Sequence, residues 1–206
     1  MTNLIRCRGS LSEMAGCFKA KADPGLIWRP LLWPGQDVPV VSIAAQGRAL
    51  QLASWGLPSE VFAKNRPLAQ RAALFGRDIA GDGGGIVAPE RLVRCLIVLE
   101  SFAYPEGPAD LRTRIWAGLW DEPLCAWAGL CMPDRSGCAG ILVPANGLLG
   151  RVSAHMPLLL PPEARRPWLE GCSIHALGGT YPQSDWYLER SDEHWSTGVP
   201  VDDRQP

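Results

Sequence analysis

Short apolar runs separated by turn residues dominate this chain, and the pattern predicts β-strands rather than long helices. Residues 38–45 and 49–55 are two such runs, and Gln46-Gly47 between them predicts a hairpin turn. Residues 94–100 form a continuous apolar run of strand length, which is typical of a strand buried on both faces. Three later runs predict three more strands: 113–120, 124–131 and 139–143.

Helical patterns are few. Residues 60–75 carry the one plausible helical stretch of the first half, and Pro67 interrupts it. Pro161-Pro162-Glu163 predicts the start of a short helix that ends at Gly171, because proline and an acidic residue suit a first turn and glycine suits the position after the last one. Together the runs predict one α+β domain over residues 1–206 with a mostly antiparallel sheet.

Two segments lack a regular pattern. Residues 81–85 read Gly-Asp-Gly-Gly-Gly and predict a loop, which has neither the lysine nor the Ser/Thr of a phosphate-binding loop. Residues 178–206 are rich in Pro, Asp, Ser and Trp, and we expect an irregular segment there. Trp186 and Trp195 lie in this polar stretch, where they either anchor it to the body by apolar burial or mark a surface for a partner.

Composition narrows the class of protein. The chain has 206 residues, of which 47% are hydrophobic and 20% charged, as in ordinary globular domains. No apolar run reaches the length of a membrane span, and residues 1–6 lack the apolar stretch of a signal peptide, so we expect a cytoplasmic protein with no membrane contact. The formal net charge of −1 excludes a protein that binds nucleic acid through a large basic excess.

The seven cysteines do not indicate a metal site. The sequence contains no CxxC pair and no histidine at a metal-ligand spacing. We therefore expect reduced, mostly buried thiols, no metal and no other cofactor.

A series of short motifs, in order and similarly spaced over about residues 29–169, matches one known family. The best block combines Ala145-Asn146-Gly147-Leu148, Met156-Pro157 and Leu160-Pro161-Pro162-Glu163. The chain therefore resembles the SRAP family, the SOS-response-associated peptidases that sense abasic sites in single-stranded DNA. Its other matches are Arg29 with Pro34-Gly35-Gln36, Trp55-Gly56-Leu57, Arg66, Arg94-Cys95-Leu96-Ile97, Ala128-Gly129-Leu130 and Trp168-Leu169.

The resemblance implies a fold and a chemistry. The implied fold is a curled, barrel-like, mostly antiparallel sheet flanked by short helices. In the family, a cysteine directly after the initiator methionine captures the abasic aldehyde through its amine and thiol, while an Asn, a Glu and a His position and protonate the intermediates. An aldehyde needs an unprotonated amine, a second nucleophile and a proton shuttle to close such a ring.

All four family positions hold other residues in this chain. The cysteine position is Thr2, and counting from the flanking motifs places the Asn, Glu and His positions at Leu31, Tyr104 and Ser153. We therefore expect a catalytically inactive relative that binds single-stranded DNA or acts as an interaction protein.

Two alternatives stay open. In the first, the protein is an active crosslinking enzyme in which the Thr2 amine is the nucleophile and Glu106 or His155 takes over the acid and base roles. In the second, it is a protein-binding scaffold with no DNA role. For a DNA role, the resemblance points to Trp55 as a base-stacking residue and Arg66 as a phosphate contact.

Overall fold

The chain folds into two β-sheets with short helices at their edges. The computed structural model describes residues 3–79, 86–87, 89–174, 177 and 181–199. The strands are β1 (Ile5–Arg6), β2 (Lys21–Ala22), β3 (Leu31–Leu32), β4 (Asp37–Ala44), β5 (Gly47–Ser54), β6 (Ala73–Phe75), β7 (Val93–Leu99), β8 (Ser101–Glu106), β9 (Thr113–Leu119), β10 (Cys125–Cys131), β11 (Cys138–Pro144), β12 (His155–Pro157) and β13 (Trp186–His194). The helices are α1 (Leu11–Phe18), α2 (Leu68–Arg71), α3 (Gly76–Ile79) and α4 (Pro162–Leu169).

The larger sheet has the strand order β12-β11-β10-β7-β4-β5-β2, and β6 adds to it alongside β11. The smaller sheet has the order β13-β9-β8-β1-β3. Pairing is antiparallel throughout both sheets except between β2 and β5 and between β6 and β11. This confirms an α+β fold with mostly antiparallel strands, although the described strands form two open sheets rather than a closed barrel.

The central strands β8 and β9 of the smaller sheet are largely buried on both faces, and the alternation of side chains sorts their residues between two apolar clusters. Phe102 and Tyr104 face the main core, which also contains the central strands of the larger sheet. Ala103, between them, faces a second, small cluster together with Leu4 and Trp116. This second cluster therefore lies on the face of the smaller sheet that points away from the main core.

Most predicted strands are confirmed. The hairpin is β4 and β5, which pair from Asp37↔Ser54 to Ala44↔Gly47. The later apolar runs are β7, β9, β10 and β11, within one or two residues of the predicted bounds, and the predicted helix 161–171 is α4.

Three predictions about elements need correction. The helix expected over 60–75 is instead a 3-10 turn (Ser59–Val61), the four-residue α2 and strand β6, because Pro67 forms the N-cap of α2 and ends the regular pattern there. The segment expected to be irregular contains β13, whose residues pair in register with β9 from Trp186↔Leu119. Residues 81–85 and Thr2 lie outside the described part of the chain.

Helix α1 was not predicted, although its start signal is in the sequence. Ser10 is the N-cap, and its hydroxyl accepts from the Glu13 amide while the Glu13 carboxylate accepts from the Ser10 amide. Only Met14 and Phe18 of this helix are buried in the core. Within the described ranges, the longest helices have eight residues, and no helix is both long and apolar enough to cross a membrane.

Candidate functional site

Two of the family positions meet at one carbonyl oxygen. Strand β12 is the last strand of the larger sheet, and Ala154, just before it, accepts from the Ala145 amide at 3.0 Å. Successive carbonyls of a strand point to opposite sides, so the His155 carbonyl points away from β11. Its oxygen accepts from the Tyr104 hydroxyl at 2.7 Å and from the Ser153 hydroxyl at 2.8 Å.

The Tyr104 and Ser153 hydroxyls and the His155 backbone carbonyl form a neutral hydrogen-bonded cluster. Tyr104 is 1% exposed, and burial raises the pKa of its phenol above the ordinary range, although a hydrogen bond with Ser153 opposes the shift. The phenol is therefore uncharged at neutral pH and donates its proton to a carbonyl. A serine and an un-ionised tyrosine cannot replace a carboxylate and an imidazole that shuttle protons near neutral pH.

Leu31 does not join this cluster. It pairs with Arg6 of β1, and Arg6 pairs in turn with Ser101 of β8, so the three side chains share one face of the smaller sheet. Tyr104 lies three residues after Ser101 on the same strand, and its side chain therefore points to the opposite face. Leu31 packs against the second apolar cluster, whereas Tyr104 belongs to the main core.

The residues predicted to act only in an active enzyme have structural contacts. The Glu106 carboxylate binds the Arg190 guanidinium through two hydrogen bonds of 2.9 and 3.1 Å. The His155 ring packs edge-on against Phe75, with ring centroids 4.8 Å apart.

The prediction that Trp55 stacks on DNA bases is wrong. Its side chain is fully buried, and its indole N–H donates to the Ala72 carbonyl at 2.9 Å. The ring packs edge-on against Trp127 at 6.0 Å between centroids. A base needs an exposed ring face, so Trp55 is a core residue.

Arg66 is engaged within the protein. Its guanidinium binds the buried Asp78 carboxylate at 3.0 Å and lies 4.6 Å above the centre of the Phe62 ring. The other Asp78 oxygen accepts from the Phe75 amide at 2.9 Å, which fixes the carboxylate in place. The charge of Arg66 is thus neutralised at short range, and its DNA contact stays a prediction.

A different part of the molecule combines arginine with tryptophan. Arg6, Trp33, Arg114 and Trp116 lie on the outer face of the smaller sheet, and we call this set the Arg/Trp face. The Arg6 guanidinium lies 3.9 Å above the centre of the Trp116 ring, and the Arg114 guanidinium lies 5.9 Å from the centre of Trp33. Cation–π contacts of this length hold both guanidinium groups against aromatic rings.

Residues 193–197 cover the Arg/Trp face, and we call them the covering segment. Arg114 is fully buried beneath it and binds the Glu193 carboxylate at 2.6 Å, the Trp195 carbonyl at 3.2 Å and the Thr197 carbonyl. The Trp195 ring packs edge-on against Trp33 at 5.3 Å between centroids. Anchoring by the two tail tryptophans is therefore confirmed, since Trp186 is also buried, in the main core.

The Arg/Trp face was not predicted from the sequence, although the sequence contains one signal for it. Residues 113–116 read Thr-Arg-Ile-Trp in a run predicted as a strand, so Arg114 and Trp116 had to share a face. Arginine in a buried strand is uncommon and normally has a specific partner. Trp33 and Arg6 could not be added from sequence, because β1 and β3 have only two residues each.

Comparisons with known proteins find solved structures with the same fold, but they do not assign this chain to a family. No family model and no curated protein matches this sequence. Solved structures do match: a protein of Bordetella bronchiseptica has a TM-score of 0.73 at 14% identity, with 92% of this chain and 99% of that chain covered. A protein of Bacteroides thetaiotaomicron has a TM-score of 0.71 at 14% identity, with 91% and 90% covered.

A phage-related protein of Bordetella bronchiseptica is also similar, with a TM-score of 0.68 at 16% identity and coverage of 93% of this chain and 94% of that chain. The similarity extends over nearly the whole of all three proteins. It shows that this chain shares their fold.

Proposed function

We propose that the protein is a divergent SRAP-like protein that binds single-stranded DNA reversibly and does not crosslink to abasic sites. The observation that carries the proposal is the neutral cluster in which Tyr104 and Ser153 both donate to the His155 carbonyl. These are the positions at which the family has its acid and base. The cluster supplies no group that exchanges protons near neutral pH.

The nucleophile supports the same conclusion. Thr2 has a hydroxyl where the family has a thiol, so an imine at its amine could not close to a thiazolidine. An imine alone is reversible and hydrolyses when the protein is denatured. The active alternative would also need an acid and a base at the site, whereas the Glu106 carboxylate is bound by Arg190 and the His155 ring packs against Phe75.

The Arg/Trp face supports the binding part of the proposal. Tryptophan rings stack on bases of any sequence, and arginine pairs with the phosphates between them. Two of each residue type lie together on one sheet face. Arg6 is partly exposed there, whereas Trp33, Trp116 and Arg114 are buried and must be uncovered before they can contact a base or a phosphate. Because the whole chain carries a formal charge of −1, attraction to DNA must come from such local groups rather than from the overall field.

Fluorescence anisotropy with a labelled single-stranded dodecamer tests this proposal. We expect weak binding at low salt, in the range of about 10⁻⁴ to 10⁻⁶ M, that is equal for an intact strand and a strand with one abasic site. Arg6→Gln should weaken binding and flatten the salt dependence by about 0.7 for each phosphate that the variant no longer neutralises. Glu170→Gln is the control, because Glu170 lies on the surface after α4, where its carboxylate pairs with Arg166.

The outcomes separate the three functional alternatives. No binding at low salt by the wild-type protein or by any variant would remove the DNA role and favour the protein-binding scaffold. Strong preference for the abasic strand, with bound DNA that survives denaturation, would favour the active alternative.

A further inference from the structure

We propose that the covering segment, residues 193–197, occupies the single-stranded DNA site on the Arg/Trp face and must leave for DNA to bind tightly. This inference rests on the proposed function and adds the position of the site and its regulation. It predicts that the intact chain is autoinhibited by its own C-terminal segment.

The contacts of the covering segment resemble those that a nucleic acid would make. The Glu193 carboxylate lies 2.6 Å from an Arg114 nitrogen, where a phosphate oxygen would bind. The Trp195 ring lies against Trp33, where a base would pack. An acidic group next to an aromatic ring therefore takes the place of a phosphate next to a base.

The site beneath the segment has unused hydrogen-bond donors. In the described part of the chain, the buried Arg114 Nε and the indole nitrogens of Trp33 and Trp116 have no hydrogen-bond partner. Trp33, Trp116 and Arg114 are 6%, 1% and 0% exposed, so the three donors are withdrawn from solvent. Buried donors normally have partners, and a ligand rich in oxygen acceptors would satisfy them. The covering segment thus satisfies only part of the site.

The segment has fewer backbone contacts with β9 than the part of β13 before it. Strand β13 pairs with β9 in register as far as Ser191, the register then shifts, and beyond the shift His194 pairs with Thr113 and the Trp195 amide donates to the Arg112 carbonyl at 2.7 Å. Only these last backbone contacts must break when the segment leaves. The Glu193 side chain is 54% exposed, so its ion pair with Arg114 is open to solvent and salt on one side. Displacement of residues after the shift leaves the regular part of β13 in place.

Two variants that remove the segment test the proposal. One chain ends after Asp192, and the other is the full chain with Glu193→Gln and Trp195→Ala. The matched control is Ile43→Ala with Glu170→Gln, because Ile43 is 53% exposed on β4 of the larger sheet and Glu170 lies on the surface after α4. This control removes one apolar side chain and one carboxylate from a different part of the molecule.

Anisotropy with the same dodecamer should show at least about tenfold tighter binding by both opened variants than by the wild-type chain or the control. A tenfold gain means that the site is uncovered in about one wild-type molecule in ten, because covering reduces apparent affinity by the uncovered fraction. Adding Arg6→Gln to either opened variant should remove most of the gain. The far-ultraviolet circular dichroism of each variant checks that it is folded, and the full-length variant serves if the shortened chain is not.

The results distinguish the two proposals. If the wild-type chain binds and the opened variants bind no tighter, the covering segment is not an inhibitor and the proposed function stands. If the opened variants gain affinity that Arg6→Gln does not reduce, the site is not on the Arg/Trp face. If no protein binds DNA even at low salt, the proposed function itself fails.

Discussion

At the scale of single residues, the most informative feature is a pair of hydroxyl groups that donate to the same backbone carbonyl. Tyr104 and Ser153 satisfy a carbonyl that faces away from its own sheet. A carbonyl with no donor is costly inside a protein, so both hydroxyls stabilise the fold here. The Tyr104 hydroxyl connects the smaller sheet to β12 of the larger one, whereas the Ser153 hydroxyl makes a local bond two residues along the chain.

The His155 carbonyl gives a first stability prediction. Tyr104→Phe and Ser153→Ala should each lower the free energy of unfolding by about 1 kcal/mol, since one donor remains in each case. The double variant should lose more than the sum, because the carbonyl oxygen is then left unpaired. Urea denaturation of the four proteins measures this, and additive losses within about 0.3 kcal/mol would contradict the shared acceptor.

The ion pair of Arg66 with Asp78 gives a second stability prediction. Asp78 is 5% exposed, so Arg66→Ala leaves a buried carboxylate without its cation and should cost about 2 kcal/mol, less than for a fully buried pair because Arg66 is partly exposed. Adding Asp78→Asn removes the unpaired charge and should restore part of the loss. A double variant no more stable than Arg66→Ala in urea would argue against a structural role for the pair.

At the scale of elements, apolar runs located the strands of the larger sheet because those strands are buried on both faces. Strands β7 and β10 pair along seven residues, from Val93↔Cys131 to Leu99↔Cys125, and all of β10 is buried. The sequence could not locate β13 in the same way, because most of its residues are charged or polar and exposed. Residues of β13 adopt strand geometry because they pair with β9 through backbone hydrogen bonds. This long-range pairing leaves no hydrophobic pattern in the sequence of β13 itself.

Sequence patterns also located the residues of the candidate site only in part. Counting from motifs selected Tyr104 and Ser153, and their hydroxyls donate to the same carbonyl oxygen. It placed Leu31 with them, yet Leu31 lies on the other face, because a strand of two residues has no periodicity to reveal its orientation. The burial of Trp55 depends on long-range packing and was equally inaccessible.

The Trp127 ring of β10 packs directly over Gly140 of β11, and this gives a third prediction. A Cβ atom at Gly140 would clash with Cε2 of the buried Trp127. Gly140→Ala should therefore lower the free energy of unfolding by about 3 kcal/mol. Gly150→Ala is the control, because no atom lies within 4 Å of that Cβ position and the change should stay within about 0.5 kcal/mol. Equal stability of the two variants in urea would show that the Trp127 ring does not pack directly over Gly140.

At the scale of the whole molecule, burial of thiols and phenols makes the fold sensitive to alkali. Five of the seven cysteines are buried: Cys7, Cys95, Cys125, Cys131 and Cys138. Burial, followed by the nearby Glu122 carboxylate, raises the pKa of Cys125 to about 12. The unfolded thiol ionises near pH 8.5, so the folded state binds more protons between these values.

Stability should accordingly be retained below about pH 8.5 and fall as the pH rises toward 12. The reason is that a pKa raised by folding favours the folded state only while the group stays protonated. Cys125→Ala should reduce the slope of unfolding free energy against pH by up to one proton. Urea midpoints measured between pH 7 and pH 10.5 test this, and the same slope in the wild-type protein and the variant would contradict the assignment to Cys125.

The central claim is that this molecule keeps a shared fold while lacking the crosslinking chemistry of the family it resembles. Its most direct test is the intact mass of the protein after incubation with an abasic single-stranded oligonucleotide, denatured without any reductant. We predict the mass of the unmodified protein alone, because Thr2 has no sulfur and the Tyr104–Ser153 cluster has no acid or base. A heat-stable species with the summed mass of protein and DNA would contradict the account.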